Sequence, residues 1–407
     1  MSDMHIGYSR ETNTSSAGGN REPKLPRRDW ILLPVISLLT ISLILISSEL
    51  ISRWMFYRTS GMGSCFVYTA SGLRAKPNSV CWQKDPESPL VEYRFNGSGH
   101  RTGMELSPKA TGTFRIVMVG SSSAFGQMVE TDKTTAAVLP RNLSQQTGRL
   151  IELYNESLDA EGPHVIPQRF NEVMAAKPDI ILWMFTPYDI QIGTWPAPNP
   201  EQQKIDSRNL LANVLYRAQS ALASKSISAI VADLFGYSRT ALLLRHFLYQ
   251  SQSQYVSSFL RGGEDADFLR SESNAEWLSK MQQFSKDEAE VEEQAKTAGV
   301  PLVTVLLPSR VQAAMISMGE WPEGYDPYKL SGELHKIIES HDGIFIDIFP
   351  WVRSTPNSET LFYPVDGHPN AQGHAVFSYI IAKELTSGAV PALSVDAPQH
   401  IAQKRGK

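Results

Sequence analysis

A serine hydroxyl is a poor nucleophile until an imidazole takes its proton, and that imidazole needs an anionic partner to hold its tautomer and its charged form. Two stretches of this 407-residue sequence carry those residue types. The first is Ser121-Ser122-Ser123-Ala124-Phe125-Gly126 after the apolar run ending at Gly120, a small-residue turn that can project a hydroxyl and the N–H groups of a helix start. A G-x-S-x-G elbow would need Gly where Ala124 stands, so the α/β-hydrolase motif fails. The second is Tyr363-Pro364-Val365-Asp366-Gly367-His368-Pro369-Asn370, followed by Gly373 and His374. An Asp two positions before a His in a Gly- and Pro-rich turn has the form of a base with its orienting carboxylate. Taken singly, each stretch also has a plainer reading. The serines suit helix capping, Asp366 an Asx turn, and His368 a polar loop.

The elements that must position these residues follow from the apolar pattern. From Phe114 the chain alternates short, wholly apolar runs with amphipathic stretches, as strands buried on both faces with crossover helices do. The runs are 114–120, 150–155, 179–185, 301–307 and 343–349, which predicts an α/β fold with about five parallel strands. In doubly wound sheets the ligand site forms beyond the C-terminal ends of the strands, where both stretches fall. Residues 195–298, rich in Leu, Ala, Gln and Glu at helical spacing, are expected to form a helical insertion, with the acidic run AEVEEQ as a solvated helix face.

These two stretches resemble the first and last conserved blocks of the SGNH (GDSL-type) hydrolase superfamily. The opening block matches Gly120, Ser122 and Gly126, and the closing block matches Asp366, His368, Pro369, Asn370 and Gly373. The resemblance implies a flavodoxin-like three-layer domain over 112–388, with Ser122 as nucleophile, His368 as general base and Asp366 as its partner. Order and sheet context favour this joint reading over the plainer ones. The departures are specific. Ser121 stands for the family's Asp, the Asp-x-His spacing is one residue short, and Ala160 stands where the second block has its oxyanion Gly. Tyr188 stands where a side-chain amide would serve the oxyanion. Ala160 and Tyr188 are thus the candidate oxyanion positions, and loss of one such donor typically costs about 10²- to 10³-fold in rate.

Upstream, Trp30 to Ser48 carries no charged residue and at 1.5 Å per residue reaches about 30 Å, enough to cross a bilayer. Residues 30–52 are therefore expected to be an uncleaved signal-anchor contacting lipid. Arg21, Lys24, Arg27 and Arg28 precede the span while Arg53 and Arg58 follow it, which favours a cytoplasmic N-terminus and an exported bulk, periplasmic or extracellular. Residues 1–29 read as a disordered cytoplasmic tail, 53–111 as a linker and approach segment, and 389–407 as a C-terminal tail. Cys65 and Cys81, just beyond the span, are a disulfide candidate in such a compartment.

Charge sets limits too: 38 Lys and Arg against 42 Asp and Glu, with no long basic block, give no support to a nucleic-acid partner. Two cysteines and no H-E-x-x-H or C-x-x-C motif leave no metal signature, and acyl transfer through serine needs no cofactor. The reading that follows is a membrane-anchored serine esterase or O-acyltransferase. The resemblance implies acyl esters of extracellular or envelope carbohydrate as its substrates. The alternative is a catalytically silent domain of the same fold that binds a glycan or a partner protein in an envelope assembly. A third reading, a lipase-like esterase at the bilayer surface, needs an apolar pocket lined from 195–298.

Overall fold

The computed structural model describes residues 28–69, 72–158, 161–192 and 238–394. Ala160, residues 195–237 of the expected insertion and most of both expected tails lie outside the described residues. The N-terminal helix Asp29–Met55 has 27 residues, and its most apolar window has a mean hydropathy of 2.4. It is long and apolar enough to cross a membrane. Its Leu and Ile side chains are exposed all round among the described residues.

The approach segment is more structured than its punctuated sequence suggests. It forms β1 (Thr59–Ser60), β2 (Phe66–Thr69), β3 (Gly72–Ala75), β4 (Val80–Lys84) and β5 (Leu90–Arg94). β1, β4 and β5 make an antiparallel sheet, and β2 and β3 a separate hairpin. Strands of two to five residues are too short to show a clear alternation in the sequence. Cys65 is bonded to Cys81 in β4, with 6.1 Å between their Cα atoms. Around the bridge Val91, Tyr93 and Phe95 form a small core that also takes in Phe125, from the serine-rich turn.

The main sheet consists of β6 (Thr113–Gly120), β7 (Leu150–Asn155), β8 (Ile180–Phe185), β9 (Leu302–Leu306) and β10 (Ile344–Ile346). Its order is β7-β6-β8-β9-β10, and every pairing is parallel. Every residue of β6, β8 and β9 is buried, as strands covered by helices on both faces must be. The chain runs from β6 outward to β7 and then returns to β8 on the other side. The switch in strand order therefore opens a crevice between β6 and β8 at their C-terminal ends.

Helix Ala371–Glu384 packs beside Thr135–Thr147, and helix Ala275–Ala298 packs beside Val165–Gln168 and Lys329–Ser340. Within the segment read as an insertion, Arg239–Leu248, Gln252–Leu260 and Ala275–Ala298 are helical. The last is the crossover into β9, with Trp277, Phe284 and Val291 buried in the main core. The expectation that the run AEVEEQ is a solvated face fits Glu290 and Glu293, which are exposed, and is corrected at Glu292, which is buried; just before the run, Glu288 is wholly buried against the His341 imidazole. Burial pushes the Glu292 carboxyl up to about 7. At the other end, Val390 and Leu393 join the main core, beyond the expected domain boundary at 388.

Candidate active site

The crevice is built first by a glycine. Gly120 ends β6 at φ +146°, and a Cβ there would stand 1.9 Å from the Met184 carbonyl oxygen of β8, so only glycine allows the two strand ends this approach. The chain then turns through Ser121 into the single helical turn Ser122–Phe125, which closes on Gly126 at φ 82°. The turn is pinned from the approach segment. Arg101 is buried and donates to the carbonyls of Phe125 (3.2 Å), Gly126 (2.6 Å) and Val129 (2.6 Å), while its guanidinium lies 4.3 Å from the Tyr93 ring centre. Tyr93 stacks on Phe125 at 5.7 Å, and its hydroxyl accepts from the Met128 N–H at 2.8 Å. Burial lowers the Arg101 guanidinium to about 10.

The second loop has its own internal reasons for its shape. The Tyr363 N–H donates to the His368 carbonyl and the Gly367 N–H to the Tyr363 carbonyl, closing a tight turn with Gly367 at φ 88°. Asn370 then caps the helix Ala371–Glu384, its side-chain oxygen accepting from the Gly373 N–H at 3.0 Å. A Cβ on Gly373 would stand 2.2 Å from the Leu361 carbonyl oxygen, so this glycine lets the helix start lie against the preceding chain. The pattern His-Pro-Asn-x-x-Gly is accounted for by a turn, a cap and a close approach.

These two loops meet. His368 Nε2 lies 2.8 Å from Ser122 Oγ, and His368 Nδ1 lies 2.6 Å from Asp366 Oδ1. The same carboxylate oxygen accepts the His368 backbone N–H at 3.2 Å. Burial acts to raise the Asp366 carboxyl, but hydrogen bonding and charge from His368 outweigh it and leave the group below the usual carboxylate range.

The three side chains open on a cleft of about 680 Å³ whose lining includes Gln127, Tyr188, Asp189, Gln191, Asp265 and Lys280. Tyr188, whose phenol carries a hydroxyl, packs edge-on against Phe268 at 5.7 Å. Burial holds that hydroxyl well above its ordinary range. Ala160, the other candidate oxyanion position, lies outside the described residues. Near it, the buried Asn155 orders the chain by accepting the Ser157 N–H at 3.1 Å and donating to the Ala124 carbonyl at 3.3 Å.

Three further residues contribute to this site: Asp189, beside Tyr188 in the stretch after β8, and Glu87 and His246, which carry no motif. Asp189 is buried and accepts from the Thr186 N–H (2.6 Å) and hydroxyl (3.1 Å), and burial raises its carboxyl to about 6 against those donors. Glu87 lies in the turn between β4 and β5 with its side chain buried, and its carboxylate accepts the backbone N–H groups of Val365 and Asp366. His246, which has no motif around it, bonds to the same carboxylate through Nδ1 at 2.6 Å.

No family model matches this chain, and no curated protein sequence matches it. Solved structures do. A putative lipolytic protein of the G-D-S-L family from Desulfitobacterium hafniense DCB-2 is 12% identical, with 67% of this chain and 99% of that chain covered and a TM-score of 0.32. A lipase/acylhydrolase from Enterococcus faecalis is 11% identical over 67% of this chain and 95% of its own, at a TM-score of 0.33. Axe2, an acetylxylan esterase from Geobacillus stearothermophilus, is 11% identical over 67% and 94%, at a TM-score of 0.36. The solved structures to which this chain is similar thus include G-D-S-L-type lipolytic hydrolases and an acetylxylan esterase.

Proposed function

We propose that this chain is an SGNH-type serine esterase or O-acyltransferase. The observation that carries the reading is the continuous relay from Asp366 Oδ1 through the His368 imidazole to Ser122 Oγ, with links of 2.6 and 2.8 Å. Ser122 Oγ attacks the acyl carbonyl carbon while its proton passes to His368 Nε2, and Asp366 stabilises the imidazolium through Nδ1–H. The N–H groups at the start of the turn Ser122–Phe125 have no partner within that turn and supply donors to the oxyanion. Collapse expels the alkoxide, which takes the proton from Nε2, and leaves an acyl-enzyme on Ser122. Water or an acceptor hydroxyl then attacks, with His368 again taking the proton. Hydrolysis and transfer share every step before the acceptor arrives.

A carbohydrate ester is the substrate class that suits this cleft best. Gln127, Gln191, Asp265 and Lys280 stand among the apolar side chains that line the cleft and can hydrogen-bond the hydroxyls of a polyhydroxy ligand. The helix Asp29–Met55 serves in this reading as a membrane anchor. The Arg and Lys excess before it keeps the N-terminus in the cytoplasm and the domain outside. The Cys65–Cys81 bond is consistent with an oxidising compartment.

One observation favours the silent, ligand-binding alternative: Tyr188, at the position of an oxyanion amide, packs its ring edge-on against Phe268. Treating the full chain with a fluorophosphonate and reading its intact mass decides between them. A single adduct that vanishes in Ser122→Ala establishes an activated serine and a working oxyanion site. A folded wild-type chain that takes no adduct removes the esterase reading in favour of binding.

A further inference from the structure

We propose that Glu87 is a positioning residue for the reactive pair, a strut by which the approach segment sets the height and tilt of the turn carrying Asp366 and His368. The inference rests on the esterase reading above and concerns a residue outside every motif.

Glu87 leaves the turn between β4 and β5 and is buried, its side chain 3% exposed. Its Oε2 accepts the Val365 N–H at 3.0 Å and the Asp366 N–H at 2.9 Å, and its Oε1 accepts the Val365 N–H at 3.2 Å. Both amides belong to the peptide units that aim the Asp366 side chain, and Asp366 in turn holds the His368 ring. The carboxylate is itself fixed by His246 Nδ1 at 2.6 Å on Oε1. A second support reaches the turn from the opposite direction, where Arg310 Nη1 donates to the Pro364 carbonyl at 2.6 Å while the guanidinium lies 3.8 Å from the Tyr255 ring centre. The turn is therefore held at two successive peptide units, by a carboxylate on the N–H side and a guanidinium on the C=O side.

The same segment holds the other half of the pair. Arg101 and Tyr93 bind the chain just after Ser122, so the nucleophile and the base are both referenced to one small disulfide-linked unit. Two loops separated by 246 positions acquire a fixed mutual distance through a third element that touches both. Charge is not what the strut needs. A glutamine can keep its oxygen on the Val365 and Asp366 amides and turn its nitrogen towards His246 Nδ1, which accepts in one tautomer. An alanine removes the acceptor that both amides share, and with it the tie between the turn and the approach segment.

The test uses the full chain in detergent, a small fluorophosphonate, and wild type, Glu87→Ala and Glu87→Gln. In Glu87→Ala the maximal rate of phosphonylation is expected to fall about 10- to 100-fold, with the half-saturating reagent concentration within about 2-fold and the final adduct still one per chain. Glu87→Gln is expected to recover most of that rate. Hydrogen exchange read by mass spectrometry is expected to rise at 363–368 in Glu87→Ala and to stay unchanged in β6. A rate and exchange equal to wild type in Glu87→Ala overturn the strut while leaving the esterase reading intact. A fall in final adduct with an unchanged rate also overturns it, since that marks a misfolded fraction. If wild type takes no adduct the esterase reading fails, and raised exchange at 363–368 still supports Glu87 as the strut, whereas unchanged exchange removes it.

Discussion

Ser122 and His368 sit 246 positions apart in the chain, and their reactive atoms stand 2.8 Å apart. Neither lies in a strand. Ser122 opens the turn after β6, and His368 ends a turn that precedes a helix, so their meeting depends on the switch point that leaves room above β6 and β8. Substitution within this group should separate the roles. Asp366→Asn is expected to lower the phosphonylation rate about 10²-fold, less than the roughly 10⁴-fold known where such a carboxylate is sealed from water, because Asp366 is partly solvent-exposed and water can substitute in part. Ser122→Ala is expected to abolish it. Intact-mass kinetics measure both, and an Asp366→Asn chain as fast as wild type would remove Asp366 from the relay.

His374 should make the protein acid-labile in a defined window. It is fully buried, its Nδ1 accepts from the Thr135 N–H at 3.2 Å and bonds the Thr135 hydroxyl at 2.9 Å, and burial lowers its imidazole to about 3. The folded state keeps it neutral, while the unfolded chain takes up a proton below about 6.5. The stability it contributes is therefore complete above that value and is lost as the pH falls towards about 3, at up to about 1.4 kcal/mol per pH unit. Denaturant midpoints measured from pH 7 down to pH 4 should fall more steeply in wild type than in His374→Asn, whose amide oxygen can still accept from Thr135. Parallel slopes would show that His374 does not titrate in this way.

How much of this was legible in advance depended on what a residue's neighbours in sequence can reveal. β6, β8 and β9 were legible because a strand buried on both faces must be a continuous apolar run, and the two site loops because small residues, Asp, His, Pro and Asn sit close together. Glu87 and Arg101 were not. Each is a polar residue whose partners are backbone groups far along the chain, and nothing beside Glu87 in sequence distinguishes it from exposed Glu92. The helix Ala275–Ala298 has a related difficulty. Its acidic run has the composition of a surface, yet Glu292 within it is buried, as is Glu288 just before it, which His341, fifty-three positions on, comes to meet.

Arg101 should be intolerant of the substitution that preserves its charge. Its planar fork reaches three carbonyls after Ser122, and a lysine ammonium in that buried place cannot span them. Arg101→Lys is expected to cost about 2 to 3 kcal/mol in chemical denaturation. It should also slow phosphonylation of Ser122, because the turn loses its anchor. A loss below about 0.5 kcal/mol would mean that the contacts with Tyr93 and Phe125 alone hold the turn.

The Cys65–Cys81 bridge closes a loop of sixteen positions and should contribute about 3 kcal/mol by restricting the unfolded chain. Cys65→Ser with Cys81→Ser, or reduction of the wild type, is expected to lower stability by that order. Since the bridged unit carries Glu87, Tyr93 and Arg101, labelling of Ser122 should become slower before the main sheet unfolds. Simultaneous loss of labelling and of far-ultraviolet circular dichroism would show instead that the two units melt as one.

Gly120 and Gly148 both take positive φ, at 146° and 67°, and comparing them isolates the effect of crowding from that of backbone strain. At Gly148, the C-cap of helix Thr135–Thr147, an added Cβ meets nothing within 4 Å, so Gly148→Ala should cost about 1 kcal/mol for the left-handed backbone alone. At Gly120 the added Cβ would meet the Met184 carbonyl oxygen at 1.9 Å and the Ala124 Cβ at 2.9 Å, and neither is a flexible side-chain end that could swing aside. The strand ends would have to part, and with them the turn that presents Ser122. Gly120→Ala is therefore expected to give no folded chain or a loss above about 4 kcal/mol, several times that of Gly148→Ala. Equal, mild losses in the two variants, measured by denaturant titration, would mean that β6 and β8 do not approach so closely at their C-terminal ends, and the crevice that holds the reactive pair would need a different origin.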